Sequence, residues 1–158
     1  MSFFTNSMPL ASALPPLTSE RIAAALDRLG INHGTDDDGD TYAGWETGII
    51  YFLRRGEGGE ILFTQGFWRA QLTAAELPEA VGFTNDWHCN RFWPRALARP
   101  VGDDAVRMET SHIVDYEHGV TDEQLGQHIS TAVSSSLDYF EELNQRFPAA
   151  WELATADE

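Results

Sequence analysis

The stretch from residue 41 to residue 70 constrains the fold most, because it alternates in the manner of β-strands. Residues 41–46, 49–54 and 61–70 are separated by short glycine-containing turns, and the second segment is rich in β-branched and aromatic side chains. In the third segment one face of the strand collects alternate residues, namely Leu62, Thr64, Gly66 and Trp68. The pattern predicts three antiparallel strands joined as a meander.

Apolar residues at helical spacing predict a helix before the meander and a long helix near the C-terminus. The Thr-Ser pair at 18–19 can cap the first helix, and Gly30 is the left-handed residue expected at its end. Thr121 and Gln124 have capping-box spacing and open the long helix, which Pro148 should end.

A middle helix and two more strands complete the predicted order. Thr73 and Glu76 form a second capping box, but Pro78 conflicts with a regular helix there. Either the first turn is irregular or the helix begins near Leu77. Two alternating segments follow, at 95–101 and 105–116. The order α-β-β-β-α-β-β-α predicts an α+β fold, a twisted antiparallel sheet packed by helices.

The chain divides into one domain and two short ends. Its 158 residues suit a single domain, which we place at residues 18–148. Residues 1–17 lack periodicity and predict an N-terminal arm, which could pack Phe3, Phe4 and Leu10 on the body or on a second subunit. Residues 149–158 are interpreted as an acidic C-terminal tail, frayed after Trp151.

The charge of the chain excludes several classes of partner. The formal net charge is −15, and all ten basic residues are arginine. Phosphate binding requires a basic patch, so we expect no binding to nucleic acid or to an anionic membrane surface. The acidic residues could form a solvated helix face or a docking surface for a basic partner.

Cysteine content and hydropathy predict a cytoplasmic protein. Cys89 is the only cysteine, so no internal disulfide can form, which favours a reducing compartment. The first residues do not resemble a signal peptide, and no segment approaches the roughly 18 apolar residues of a membrane span.

The acidic loop at residues 35–46 suggests calcium at first sight. Asp36, Asp38 and Asp40 have the spacing of EF-hand positions 1, 3 and 5. Thr41 then stands where the loop needs glycine, and Thr47 stands where it needs a bidentate glutamate. We therefore expect a turn into the first strand. No HxxxH, HExxH or CxxC motif occurs, so we expect no metal and no cofactor.

No catalytic constellation is visible, so we expect no enzyme. Cys89 lies late in the middle helix, where the helix dipole disfavours a thiolate, despite His88 and Arg91 nearby in sequence. The serines at 134–136 lack a GxSxG context, and the glycines at 56–59 lack the lysine of a phosphate loop.

The segment TNDWHCNRFWPR, residues 84–95, is the unusual part of the chain. Asn85 lies mid-helix, where its amide could cap backbone groups of the following turn or a sheet edge. Trp87 and Trp93 can bury apolar area while their N–H groups find acceptors. Two interpretations stay open: a structural corner, or a pocket for a ligand or peptide.

The motifs Asn85-Asp86-Trp87 and Trp93-Pro94-Arg95-Ala96, with the helix start at residues 119–125, resemble the YbjN family as found in actinobacteria. These proteins are named "putative bacterial sensory transduction regulators". The resemblance implies a fold like that of type III secretion chaperones, often dimeric, and it carries over no catalytic residue. His88, Cys89 and Asn90 depart from the usual motif.

Two functions follow as hypotheses. The first is a non-enzymatic binding module, chaperone-like or regulatory, which holds a protein or peptide segment or a second copy of itself. Asn85 and Trp87 would form its corner, and exposed Tyr51, Trp68 and Trp93 would be its anchors. The alternative is a small-molecule sensor with a closed pocket beside Trp87 and Trp93. Outward Phe52 and Phe63 would favour a homodimer.

Overall fold

The helices and strands follow the predicted order, with four short additions. A computed structural model describes residues 13–156. Its helices are α1 (Ser19–Arg28), α2 (Leu77–Asn90), α3 (Asp122–Arg146) and α4 (Pro148–Thr155), and a 3₁₀ turn, Ala74–Glu76, precedes α2. Its strands are β1 (Gly34–Thr35), β2 (Thr41–Trp45), β3 (Gly48–Arg55), β4 (Ile61–Trp68), β5 (Leu72–Thr73), β6 (Arg95–Val101) and β7 (Ala105–Asp115). The 3₁₀ turn, β1, β5 and α4 are the additions.

One antiparallel sheet holds all seven strands. The meander β2-β3-β4 continues into β7, which lies between β4 on one side and β6 on the other. β5 extends the line of β4, since Leu72 pairs with Val106 at the start of β7. The α+β class predicted from the pattern is therefore confirmed.

The core lies between one face of this sheet and helix α3. Alternate residues of β4 are buried, so the face predicted for Leu62 to Trp68 is the inner face. Gly66 lets the helix approach closely, because a Cβ there would lie 3.0 Å from Cζ of Phe140 and would collide with Oγ1 of Thr110. Thr110 in turn donates a hydrogen bond to Oγ of Ser136 on α3, at 2.8 Å.

Both alternatives offered for the start of the middle helix hold at once. The capping box of Thr73 and Glu76 opens the 3₁₀ turn, and α2 then begins at Leu77 with Pro78 in its first turn. Pro78 is tolerated there because the N–H groups of a first turn have no intrahelical acceptor. The capping box of Thr121 and Gln124 forms as predicted.

The C-terminal end differs from its prediction. Residues 148–155 form helix α4, so the expectation of a frayed chain after Trp151 is wrong as far as Thr155. The reason is packing, because Trp151 and Ala154 lie partly buried against the core. Phe3, Phe4 and Leu10 of the predicted arm lie outside the described residues. None of the helices within residues 13–156 has the length and apolar character needed to cross a bilayer.

The acidic loop is a hairpin turn. Oδ1 of Asp36 accepts hydrogen bonds from the backbone N–H groups of Asp38, at 3.0 Å, and Asp40, at 2.9 Å. Gly39 supplies the positive φ, +84°, that the turn requires. The carboxylate of Asp36 is therefore engaged in the turn itself, and the loop joins β1 to β2.

Candidate functional site

The two tryptophans of residues 84–95 have different roles. Trp87 is buried, packs edge-on against the ring of Tyr139 with centroids 5.0 Å apart, and donates its Nε1–H to the backbone carbonyl of Trp93 at 3.3 Å. Trp93 itself is 51% exposed. Trp87 therefore holds the corner in place from below, while Trp93 is presented to solvent.

Asn85 does not cap the corner. It is exposed, and the structure gives its side chain no hydrogen bond to any residue within 13–156. His88 takes that role, because its Nε2 accepts the backbone N–H of Ala96 at 3.0 Å. Asn90 bonds within the helix, donating to the carbonyl of Asp86 at 2.8 Å.

Among the other predicted anchors, the expectation that Trp68 is exposed is wrong. This residue is 3% exposed, lies on the inner face and donates its Nε1–H to Oδ1 of Asn144 at 2.8 Å. Phe52 also faces the core, so its predicted outward position is wrong. Tyr51 and Phe63 lie half-buried on the opposite, outer face of the sheet.

A cleft of about 520 Å³ opens at the corner between α2 and the end of β7. Its lining, which we call the corner cleft, consists of His88, Arg91, Phe92, Trp93, Pro94, Arg95, Ser111, His112 and Ile113. Phe92 is 93% exposed and its ring centroid lies 5.9 Å from that of Trp93. Ile113, at 53% exposed, adds a third apolar side chain. Large apolar groups clustered at the surface mark an interaction site.

The corner cleft is cationic in a strongly acidic chain. Its lining includes two arginines and no carboxylate. Arg91 stacks over the ring of Trp87, at 5.2 Å, and pairs with Glu142 at 3.2 Å. Arg95 is exposed and makes no ion pair with any described residue. Its guanidinium is therefore available to a ligand carboxylate.

His112 lines the cleft, and further aromatic and imidazole rings pack around it. The ring of His112 lies 6.3 Å from that of Trp93 and 6.3 Å from that of His128. Burial lowers the pKa of His112, and the neighbouring His128 lowers it further. Tyr116 stacks on His128 and bonds to its Nδ1 at 2.5 Å, and burial raises the pKa of Tyr116 to about 12. His112 and Tyr116 are therefore uncharged at neutral pH.

Backbone groups also face the cleft. β6 begins at Arg95, which pairs with Ser111, so residues 112–115 of β7 have no strand on that side. In an antiparallel sheet, successive residues direct their N–H and C=O groups to opposite sides. Ala96 points away from β7, because its N–H reaches His88, so Arg95 and its partner Ser111 must point toward each other. The backbone groups of Ile113 and Asp115 point the same way as those of Ser111, toward the side of β7 where β6 no longer pairs.

The free edge of β6 is blocked at both ends, in contrast. The alternation that turns the N–H of Ala96 outward also turns residues 98 and 100 outward. His88 occupies the first of these positions, and Pro100 has no N–H at the last. Such blocking is a common protection of edge strands. Of the outward-facing residues of β6, only Ala98 keeps an N–H without a partner among the described residues, whereas the end of β7 offers two successive open positions at Ile113 and Asp115.

The corner cleft is open to solvent. It therefore does not supply the closed pocket beside Trp87 and Trp93 that the sensor hypothesis predicted, since Trp87 lies beneath its lining. Cys89 is exposed, and its thiol has no hydrogen-bonded base among residues 13–156. No group of three or more His, Cys, Asp or Glu side chains in that range could hold a metal ion.

Sequence reasoning missed Phe92 and Ile113. Both lie in segments with a predicted element or motif, but their exposure depends on how helix α2 and strand β7 meet. A signal was present for Phe92, because it follows the end of α2 and precedes Trp93-Pro94, where a turning chain has little room to bury two large rings.

Comparison with known proteins places the fold. The family model YbjN, described as "Putative bacterial sensory transduction regulator", matches residues 18–145. No curated protein matches the chain significantly. Among solved structures, the crystal structure of YbjN from E. coli, titled a "putative transcription regulator", is similar with a TM-score of 0.69. It shares 11% identity, and the match covers 82% of this chain and 93% of that one. The chain therefore belongs to the YbjN family.

Proposed function

We propose that this chain is a non-enzymatic regulator that acts by binding a segment of another protein at the corner cleft. The observation that carries the proposal is the exposure of Phe92, which leaves a phenyl ring almost wholly in water beside a half-exposed Trp93. Aromatic side chains of this kind are the usual anchors of protein interfaces. The description of the family as a regulator is consistent with this role.

The lining of the cleft favours a segment with an apolar residue next to an acidic one. Phe92, Trp93 and Ile113 supply an apolar surface, and Arg95 supplies a cation without a partner among the described residues. The net charge of −15 suggested a basic partner, but local charges dominate at contact, because salt screens exposed charges beyond about 8 Å at physiological ionic strength.

The test is a selection of random 12-residue peptides displayed on phage. The wild-type chain is the bait, and the double variant Phe92→Ser, Trp93→Ser is used to remove peptides that bind elsewhere. Leu153→Ser serves as the matched control, because Leu153 is an exposed apolar residue on α4, away from the cleft lining. We expect a common motif that pairs Asp or Glu with an aromatic or aliphatic residue.

The selected peptide is then synthesised and titrated by fluorescence anisotropy. Wild type and Leu153→Ser should bind it equally, while the double variant should bind at least about tenfold more weakly, the effect of losing roughly 1.4 kcal/mol of anchor contact. Arg95→Gln should weaken the binding of peptides that carry the acidic residue and leave the binding of their amide analogues unchanged. The proposal would be overturned if the selection yielded no common motif, or if the selected peptide bound the double variant as tightly as the wild type.

A further inference from the structure

We infer that the segment bound at the corner cleft adds to the sheet as a short strand, paired with the backbone of Ile113 to Asp115. The inference rests on the proposed function and specifies its binding mode. Strand β6 has seven residues and its partner β7 has 11, so the end of β7 extends past β6. The last residues of β7 have β4 on one side and no strand on the other.

The direction of the backbone groups follows from hydrogen bonds at both edges of β7. On the β4 side, the N–H of Tyr116 donates to the carbonyl of Glu60 at 3.0 Å. Even-numbered residues at this end of β7 therefore face β4, which leaves the N–H and C=O of Ile113 and Asp115 directed to the other side. These two N–H donors and two C=O acceptors thus lie on the side of β7 that β6 occupies further along the strand.

The chain itself does not use these groups. A regular continuation of β6 would place residue 93 opposite Ile113, but the chain leaves the sheet at Pro94. The carbonyl of Trp93 accepts instead from Nε1 of Trp87. Trp87 thereby holds the corner away from β7 and keeps the edge open beside the aromatic rings.

Both faces of an added strand would find apolar contacts. Ile113 lies on the outer face of the sheet with Arg95, while His112, against which Trp93 packs, lies on the inner face. Because side chains alternate along a strand, one residue of the added segment would meet Trp93 and the next would meet Ile113 and Arg95. The occupant is therefore an extended peptide with apolar residues on both faces and a carboxylate near Arg95. Strand addition of this kind draws affinity from backbone bonds and specificity from side-chain contacts.

Amide hydrogen exchange, followed by NMR, tests this binding mode directly. In the free protein we expect Ile113 and Asp115 to exchange faster than His112 and Val114, which bond to β4. Saturation with the peptide selected in the display experiment should slow exchange of Ile113 and Asp115 at least about tenfold, since a pairing partner must now open first. The amide of Gly126 on α3, remote from the edge, serves as the internal reference.

A scan of N-methylated peptides supplies a second readout that leaves the protein untouched. N-methylation removes one donor at a time, so methylation at alternate positions should weaken binding about tenfold and methylation at the positions between should not. If methylation at every position left binding unchanged, and exchange at Ile113 and Asp115 also stayed unchanged, strand addition would be overturned while the proposed function would stand. A failed peptide selection would instead remove the proposed function.

The remaining outcome is self-association. If Ile113 and Asp115 already exchange slowly in a species that light scattering shows to be a dimer, and quickly after dilution to the monomer, the occupant of the edge is a second copy. That result would overturn the assignment of the edge to another protein.

Discussion

His88 on helix α2 accepts the backbone N–H of Ala96 on strand β6, with Nε2 and the amide nitrogen 3.0 Å apart. The bond joins the last turn of a helix to the first residues of an edge strand. It satisfies a donor that would otherwise face solvent or a foreign strand. His88, which departs from the family motif, thus has a structural role, and it blocks the start of β6 while the end of β7 stays open.

Replacement of His88 by alanine should therefore loosen the start of β6. We expect a loss of about 1 kcal/mol in the free energy of unfolding, the usual net contribution of such a hydrogen bond. Exchange of the Ala96 amide should accelerate, while that of Met108 on β7 should not. Cys89→Ser, a change at the neighbouring exposed position, is the control and should leave both measurements unchanged. Equal stability of His88→Ala and wild type in urea denaturation would contradict this role.

The strands were predictable from the sequence because their pattern is local. Alternation along residues 61–70 depends on the pleat of a single strand, so it assigns Leu62 and Trp68 to one face without information about the rest of the sheet. Capping boxes are equally local, since the Thr121 and Gln124 pair closes within one helical turn. These features need no information about distant partners.

Burial and the candidate site were not predictable in the same way. Alternation does not tell which face of a strand the helices cover, so Trp68 and Phe52 were expected outside and lie inside. The open edge at Ile113 depends on the register of β6 on β7, which residue pairs far apart in sequence determine. A single sequence contains no separate signal for such a register.

Glu109 on the outer face of the sheet is held by two arginines. Its side chain is 2% exposed, and Oε1 accepts from Nε of Arg99 at 2.8 Å and from Nη2 of Arg107 at 2.7 Å. Burial alone would raise the pKa of Glu109, but the hydrogen bonds and charges of the arginines outweigh it, so the pKa lies below its usual 4.5. Glu109→Gln should cost about 2 kcal/mol, less than a fully buried pair because the arginines are half exposed.

This cost should depend on pH. A lowered pKa stabilises the fold above the ordinary pKa of the carboxyl, and the contribution disappears as the pH falls through the pKa of the folded state. The stability difference between wild type and Glu109→Gln, measured in urea, should therefore be constant from pH 6 to 7 and shrink below about pH 4.5. Glu117→Gln, at an exposed position after β7, is the control. A difference that persisted unchanged into acid would contradict the ionic origin of the effect.

Gly66 makes room where helix α3 approaches β4. An added Cβ would collide with Oγ1 of Thr110 and press on Phe140. Gly66→Ala should therefore lower the free energy of unfolding by about 1 to 3 kcal/mol, the usual cost of overpacking a core. Gly44→Ala is the matched control, because a Cβ at that strand glycine meets no atom within 4 Å.

A double-mutant cycle locates the strain at Gly66. Thr110→Ala removes the hydroxyl that the new Cβ would meet, so it should cost less in the Gly66→Ala background than in wild type. It still forfeits the hydrogen bond to Ser136, and recovery should therefore be partial. Additive costs of the two changes would place the strain elsewhere.

His112 should make the protein sensitive to mild acid. Its Nδ1 is buried and has no hydrogen-bond partner among the described residues, so a second ring proton would place an unpaired charge in a buried site. Burial, and then His128, lower the pKa of His112 below its ordinary 6.5. The unfolded chain consequently binds the proton first, and stability should fall as the pH drops from about 6.5 through the pKa of the folded state.

The side chains that face or surround His112 define the controls for this prediction. His128 on α3 and Tyr116 after β7 lie behind it, while His88, Arg91 and Arg95 line the cleft in front. His112→Gln should flatten the loss of stability between pH 6.5 and 5, and His118→Gln, at a 90% exposed side chain, should not. Thermal unfolding at half-unit pH steps measures both slopes. A slope that persists unchanged in His112→Gln would contradict the assignment of the pH dependence to His112.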